Sequence, residues 1–244
     1  MSSVQNIPAY ILYSSKEENR KEQIDILKKA LPNAISIEAI FPAYQKVPFL
    51  KQLIQLSQQR TGKVLVPAEI GVLLGHRHIW KSILNSGIDE QAHVLVLESD
   101  SKIKNLRLIE DYYPLICAHY DLFFWGAWDG NTRLKRSSLI YDQADQSIGE
   151  PLIKSVYCTY GYSLNKKSAK YLLKATGKIS YPVDMYKKYI PVGTLALGAA
   201  RPEIISAWYN TPSSIQKQNS IEKIKRFCIV QIFDLRNRIQ AYFS

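Results

Sequence analysis

The chain has 244 residues, 46% hydrophobic and 22% charged, and a formal net charge of +11. That length supports one α/β domain, with or without an appendage, and the hydrophobic fraction is that of a packed globular protein. The positive excess points to an anionic partner: nucleic acid, a phosphorylated substrate or an anionic membrane surface. Cys117, Cys158 and Cys228 are far apart and odd in number, which disfavours a disulfide framework or a zinc site and suits a reducing cytoplasm. The first residues lack the basic and apolar regions of a signal peptide. No apolar stretch approaches the ~20 residues that span a bilayer, so a cytoplasmic setting is expected.

Ala9 to Tyr13 reads as a first strand. Ser14 or Ser15 then caps a helix from Lys16 to Leu31, where Ile24, Leu27, Ala30 and Leu31 recur at helical spacing. Ala34 to Ile40 reads as a second strand, completing a βαβ unit of a parallel sheet. A serine-rich turn opening a helix can receive a phosphate, although without glycines it more often only caps. Phe41 to Val66 is mostly polar, and Leu50, Leu53, Ile54 and Leu56 are spaced for one helix face. Pro67 opens a clearer helix, ending near Gly87. In it, Gly71 and Gly75 share a face that another backbone can approach, while Glu69, Leu73, His76 and Trp80 share another. A lone histidine beside a tryptophan is usually structural; a Glu and a His on one face near a carboxylate cleft raise the odds of function.

His93-Val94-Leu95-Val96-Leu97 runs into Glu98-Ser99-Asp100. The apolar run reads as a central strand buried on both faces, and ligands of open α/β sheets bind beyond such carboxyl ends. Two acids at this end repel each other unless a cation intervenes, and Mg2+ or Mn2+ suits oxygen ligands; the bland alternative is a pair of solvated loop acids. Leu106 to Ile116 reads as a helix, Tyr120 to Asp129 as a buried strand leading into a loop, and Arg133 to Glu150 as polar loop. Trp125 and Trp128 near that strand's end suit stacking on a base or sugar, though such aromatics are more often core. Val156 to Leu164 is rich in strand formers, Asn165 to Leu173 continues as a short helix, and Ala200 to Trp208 suggests a last strand. Asp184 follows Pro182-Val183, where it serves chemistry or caps a helix from Met185 to Tyr189. Ile221 to Phe243 reads as a long basic amphipathic helix, with Ile221, Ile224, Phe227, Cys228, Ile232, Leu235 and Ile239 as its stripe, able to lie on an anionic membrane or to dock on the core.

Four blocks in order resemble glycosyltransferase family 25, the bacterial lipopolysaccharide and lipooligosaccharide sugar transferases related to collagen galactosyltransferases. Ala68-Glu69-Ile70-Gly71 through His76 and Trp80 resembles the family's E-I-G-C-x-x-S-H-x-x-x-W block. Val94 to Asp100 resembles its strand ending in E-D-D, Thr159-Tyr160-Gly161-Tyr162 through Leu173 its T-x-G-Y block, and Pro182-Val183-Asp184 its P-I-D. The resemblance spans residues 9 to 215. It implies a GT-A fold, a nucleotide-sugar-binding α/β sandwich with a mostly parallel central sheet flanked by helices, over residues 1–215. Residues 216–244 would form the basic C-terminal helix. The implied activity is inverting transfer of a sugar, typically galactose, from a UDP-sugar to a hydroxyl of a lipopolysaccharide, lipooligosaccharide or other glycan acceptor.

By the same resemblance, Asp100 takes the metal-binding end of the acidic motif, with Glu98 supporting it or binding ribose, and Mn2+ or Mg2+ holds the diphosphate. Asp184 is the first choice for the base that activates the acceptor hydroxyl, and Asp129 the second. Donor contacts fall to Tyr13, Ser14, Arg20, Glu69, His76, Glu98, Ser99, Gly161 and Tyr162. The chain departs from the family where Ser99 replaces the middle acid, Gly75 a serine and Val72 a cysteine; of the N-terminal N-L-x-R-x-x-R pattern only Arg20 remains. Two further readings stand beside the enzyme. One is a divergent, non-catalytic nucleotide-sugar or glycan-binding protein, which Ser99 favours. The other is a nucleic-acid binder, which rests on charge alone and lacks any motif, so no nucleic-acid partner is expected. The basic helix and net charge suit a lipid-linked acceptor at the inner face of the cell membrane.

Overall fold

The computed structural model describes residues 7–143, 145–208 and 232–244. Its frame is an eight-stranded sheet in the order β2-β1-β3-β8-β5-β9-β7-β6. The strands are β1 (Ala9–Tyr13), β2 (Ile35–Glu38), β3 (Val94–Glu98), β5 (Leu122–Gly126), β6 (Tyr141–Gln143), β7 (Gln146–Gly149), β8 (Gly161–Leu164) and β9 (Leu197–Arg201). A two-stranded ribbon pairs β4 (Ser101–Ile103) with β10 (Ile205–Ala207). The helices are α1 (Lys21–Ala30), α2 (Leu50–Thr61), α3 (Pro67–Leu84), α4 (Leu106–His119), α5 (Lys166–Ala175) and α6 (Tyr186–Tyr189), with α7 over residues 232–242.

Alternation along the strands builds a core on each side of the sheet. Tyr10, Leu12, Val94, Val96, Leu122 and Phe124 face α3 and α5, meeting Ile70, Leu73, Trp80, Ala169 and Leu172. Ala9, Ile11, Leu95, Leu97, Phe123 and Trp125 face α1 and α4, meeting Leu27, Ile109 and Ile116. Each such side chain, fully buried, contributes roughly 1.5–3 kcal/mol, which is why the apolar runs of β1, β3 and β5 occupy interior positions of the sheet. The chain is therefore α/β, with a large central sheet flanked by helices. Pairing is parallel at β2-β1-β3 and β5-β9, while β8 runs against both β3 and β5 and the β6–β7 hairpin closes the far edge, so the sheet is mixed.

Several local expectations change. The first helix opens as a short 3-10 turn at Glu18–Arg20 and has no serine cap, because the Ser15 hydroxyl and amide both donate to Glu38 Oε1, at 2.9 and 2.8 Å. The helix expected to end at Gly87 stops at Leu84 with Asn85 at its C-cap. The polar stretch from Arg133 to Glu150 contains the β6–β7 hairpin, because Ile148 offers an inward apolar residue that the sheet buries completely. Of the strand expected from Val156 to Leu164 only Gly161–Leu164 pairs.

The last helix was expected over residues 221–243; 221–231 lie outside the described residues. In α7 the expected stripe is turned outward, with Ile232, Leu235 and Ile239 71%, 61% and 54% exposed, while Asp234, Asn237 and Ala241 face the body. Arg133, buried on the body, draws Asp234 inward through an ion pair of 2.5 Å and so sets the rotation of the helix. No helix among the described residues is long and apolar enough to cross a membrane.

Candidate active site

The topology gathers three loops at one edge of the sheet. β3 and β5 end there, and β8, running the other way, begins there, with Leu97 and Gly126 both in register with Gly161. The turn Ser99-Asp100, the turn Ala127–Gly130 and the approach Tyr157–Tyr160 thus meet at the carboxyl ends of the central strands, where open α/β sheets bind ligands. The β4–β10 ribbon crosses this edge. A Cβ on Gly126 would lie 1.7 Å from the Ile205 carbonyl oxygen, and one on Gly161 2.6 Å from the Ile205 side chain. Both positions need glycine for the ribbon to pass.

Glu98, at the end of β3, is held from behind. Trp80 Nε1 donates to the Tyr162 hydroxyl at 2.9 Å, Tyr162 lies 2.8 Å from His76 Nδ1, and His76 Nε2 lies 3.0 Å from Glu98 Oε1. One tautomer uses every proton: Tyr162 donates to Nδ1, and Nε2–H donates to the carboxylate. The Thr159 hydroxyl donates to the same oxygen. Burial pushes the Glu98 carboxyl up, but the His76 and Thr159 hydrogen bonds and the Arg20 charge outweigh it, and its pKa lies below the ordinary value. Glu98 is therefore a fixed negative charge at the cleft.

Asp100 behaves oppositely. Burial and the neighbouring Glu98 charge raise its pKa to about 6 against the pull of Arg20. Arg20 Nη1 lies 3.2 Å from Asp100 Oδ2 and donates to the Ser99 hydroxyl at 2.9 Å. The position where the resembled family carries a second acid is thus taken up by a serine–arginine contact. Asp100 Oδ1 is buried with no hydrogen-bond partner among the described residues, and the Asp100 carbonyl is fixed by the Trp208 amide at 2.8 Å.

Asp184 is half-buried across from Glu98. Burial raises its pKa, the Cys158 backbone N–H on its carboxylate pulls it down, and the Glu98 and Glu69 charges raise it further. It makes no cap on α6, so the capping alternative does not apply. Asp129 is exposed on the turn above, its amide receiving no help from helix geometry but donating to the Tyr160 hydroxyl at 3.1 Å, which in turn donates to Glu203. Trp128, Asp129 and Cys158 all have positive φ, at 47°, 51° and 69°. Such backbone is costly for residues with a Cβ, of order 1–3 kcal/mol each, and gathers where a site's geometry demands it. Here it lies on the two loops that frame the acids.

The remaining expected donor contacts divide. Arg20, Glu98 and Ser99 stand at the cleft together with Asp100. His76 and Tyr162 are 0% and 1% exposed, which corrects direct donor contact to an indirect role: they position Glu98. Gly161 makes room for Ile205. Glu69 caps α3 by accepting from the Val66 amide at 2.9 Å, while its charge still reaches Asp184. Ser14 is buried and accepts from the Lys16 amide, and Tyr13 lies under Lys28, with Glu38 occupying the donors of the serine turn. Trp125 is core, whereas Trp128 is half-buried at the rim against Tyr157 and Phe233 of α7. Thr159 and Cys158 are the site residues that strand propensity alone did not single out; their signal was the Thr-Tyr-Gly-Tyr block, which marks the loop but not the roles.

Among the described residues no three or more His, Cys, Asp or Glu side chains are grouped to hold one ion. The donor set nonetheless fits Mg2+ or Mn2+ of the kind bound by one or two carboxylates with the rest from water and substrate phosphate. Asp100 Oδ1, buried and without a partner, is the atom best suited to ligate, while Glu98 Oε1 already accepts two hydrogen bonds. No protein family matches the chain, and no curated protein is detectably similar to it.

Proposed function

We propose that the chain is an inverting glycosyltransferase of GT-A type, resembling family 25, that moves a sugar, galactose in the family's usual case, from a UDP-sugar to a saccharide hydroxyl of a lipopolysaccharide, lipooligosaccharide or other glycan. The observation that carries this reading is the convergence of Glu98 and Asp100, from the end of β3, with Asp184, from a separate segment, with pKa values pushed away from their ordinary range in different directions by their surroundings. Pairs of acids so separated divide roles. Glu98, fixed as a carboxylate, suits hydrogen bonding to ribose. Asp184, its pKa raised by burial and half-exposed, suits accepting the proton of an attacking hydroxyl, and Asp129 is the second choice. A divalent ion on Asp100 would neutralise the donor diphosphate and ease departure of UDP. Arg20 beside it supplies a guanidinium matched to phosphate oxygens.

The outward apolar stripe of α7, flanked by Arg236 and Arg238, supports peripheral contact with an anionic membrane and hence a lipid-linked acceptor on the cytoplasmic side. One observation favours a second reading, in which the protein binds nucleotide-sugar or glycan without turning it over: Arg20 already pairs with Asp100, and Ser99 supplies no second acid. A screen of UDP-sugars for transfer and hydrolysis, with and without Mn2+, separates the two. Turnover that is lost in Asp184→Asn supports the enzyme; binding of UDP with no turnover of any donor supports the second reading; absence of any UDP-dependent thermal shift sinks both.

A further inference from the structure

Away from the acids, a cavity of ≈ 270 Å³ lies between α7 and the edge of the sheet carrying β7 and β9. Arg133, Arg136, Arg201 and Arg238 all line it, and among the described residues its lining contains no Asp or Glu. The carboxylate at its margin is Asp234, which pairs with Arg133 and, at 2.8 Å, with Arg238. Among the described residues, four guanidinium groups thus line the cavity and two of them pair with the one carboxylate. Arg136 lies over the Tyr242 ring, 4.9 Å from its centroid, and Arg201 makes no ion pair among the described residues. Burial and the nearby Arg133 and Arg238 charges lower the Arg201 pKa, with Asp234 opposing.

Arg133 decides the matter. Its side chain is only 4% exposed, yet Nε is buried with no hydrogen-bond partner among the described residues. An arginine cannot relieve such a position by losing its proton, and an unmet buried donor of a charged group costs more than that of a neutral one. A purely structural arginine cluster would be expected to meet its donors with carboxylates or carbonyls from the fold. Here Arg136, Arg201 and Arg238 join the buried Arg133 around one cavity of ≈ 270 Å³, a volume that can hold a tetrahedral anion. Phosphate matches the planar fork of arginine bidentately.

We propose that this pocket is a phosphoryl-binding site, which takes a dianionic phosphate group between Arg133 at its base and Arg136, Arg201 and Arg238 at its rim. The assignment does not rest on glycosyl transfer. The pocket adjoins the acid cleft through one loop: Thr132 donates to the Ala127 carbonyl at 3.1 Å, Arg133 follows, and Phe233 of α7 packs on Trp128. A phosphate bound here also shields Arg238 from Arg133 and so secures α7 against the body. The phosphoryl group belongs either to a soluble phosphoester or to a lipid headgroup.

The test uses the full chain. Inorganic phosphate is titrated at constant ionic strength, followed by calorimetry and thermal shift, for the native protein and for an Arg136→Gln/Arg201→Gln double variant. Both substituted side chains lie on exposed residues, and circular dichroism checks that the variant keeps its fold. Saturable binding, weakened at least tenfold in the double variant and undisturbed by UDP, is expected. Absence of saturable binding, equal affinity in the variant, or displacement of phosphate by UDP with the same affinity in the native and variant proteins overturns the proposal, the last by placing the anion in the acid cleft. A second arm measures flotation with phosphatidic acid vesicles against phosphatidylcholine vesicles. Flotation that depends on Arg136 and Arg201 identifies a lipid source; phosphate binding without it identifies a soluble phosphoester.

Discussion

Two charged pockets flank the loop from Ala127 to Leu134, and they are electrostatic opposites. On one side Glu98, Asp100 and Asp184 gather, with Arg20 paired to Asp100; on the other Arg133, Arg136, Arg201 and Arg238 line one cavity, with Asp234 paired to Arg133 and Arg238. Each concentrates one sign of charge around a single counter-charge, but they relieve the repulsion differently. A crowded carboxylate can take up a proton, and Asp100, with a pKa of about 6, does so within reach of neutral pH. A crowded guanidinium keeps its proton at any working pH, so the arginine pocket is relieved only by an anion. The acid cleft should therefore answer to pH and divalent cations, and the arginine pocket to phosphate and salt.

The largest effect is expected at Asp184. Asp184→Asn should lower sugar transfer by about 10²–10⁴-fold, the usual worth of a general base, with little change in UDP affinity. In the native protein, the rate should rise with pH through the raised Asp184 pKa. A variant that keeps full turnover would remove Asp184 from the chemistry and leave Asp129 as the base.

His76→Ala comes next. It strips the Tyr162 hydroxyl of its acceptor and Glu98 of a donor in a fully buried position, and leaves a cavity. Urea unfolding should show a loss of about 2–4 kcal/mol, and Glu98 should titrate at higher pH. A loss below 1 kcal/mol would mean that the relay from Trp80 to Glu98 contributes little.

Asp100 sharpens the comparison through pH. Its folded pKa lies above its ordinary value of 3.8, so between about pH 4 and pH 6 the native state holds more protons than the unfolded chain, and this group's contribution to stability falls as pH rises. The total is at most about 3 kcal/mol. Asp100→Asn should flatten that fall in unfolding experiments across the window. Mn2+ should stabilise the native protein more at pH 7.5 than at pH 5, and should lose that effect in the variant. Unchanged pH profiles in Asp100→Asn would show that the carboxyl is not crowded.

The other pocket is tested at Asp234. Asp234→Asn removes the counter-charge of the buried Arg133 and of Arg238 and should cost about 3–5 kcal/mol. Inorganic phosphate should recover that loss by mass action, in a way that it does not for His76→Ala. Failure of phosphate to stabilise Asp234→Asn more than the native chain would break the contrast between the two pockets.

Periodicity and composition by themselves determined the α/β class, the central strands β1, β3 and β5 and the helix opened by Pro67, because an element that buries its apolar residues must show them at the spacing of its own backbone. Glu98, Asp100 and Asp184 were legible for a related reason: acids that directly follow buried strands or a proline-fixed turn have their place set by nearby sequence. Gly71 was read correctly as a close approach, and the structure supplies the neighbour, since a Cβ there would lie 2.2 Å from the Ile40 carbonyl oxygen. Tertiary structure alone decided the rest. His76 and Tyr162 look like ligand contacts in sequence, but burial turns them into supports for Glu98. The reversed β8 and the β6–β7 hairpin came from strand pairing, which short polar segments do not announce. The outward stripe of α7 was set by the pull of Arg133 on Asp234, over a separation of a hundred residues. The arginine pocket had no linear signal, because its four guanidinium groups come from three separated parts of the chain and become one site only where α7 packs on the edge of the sheet.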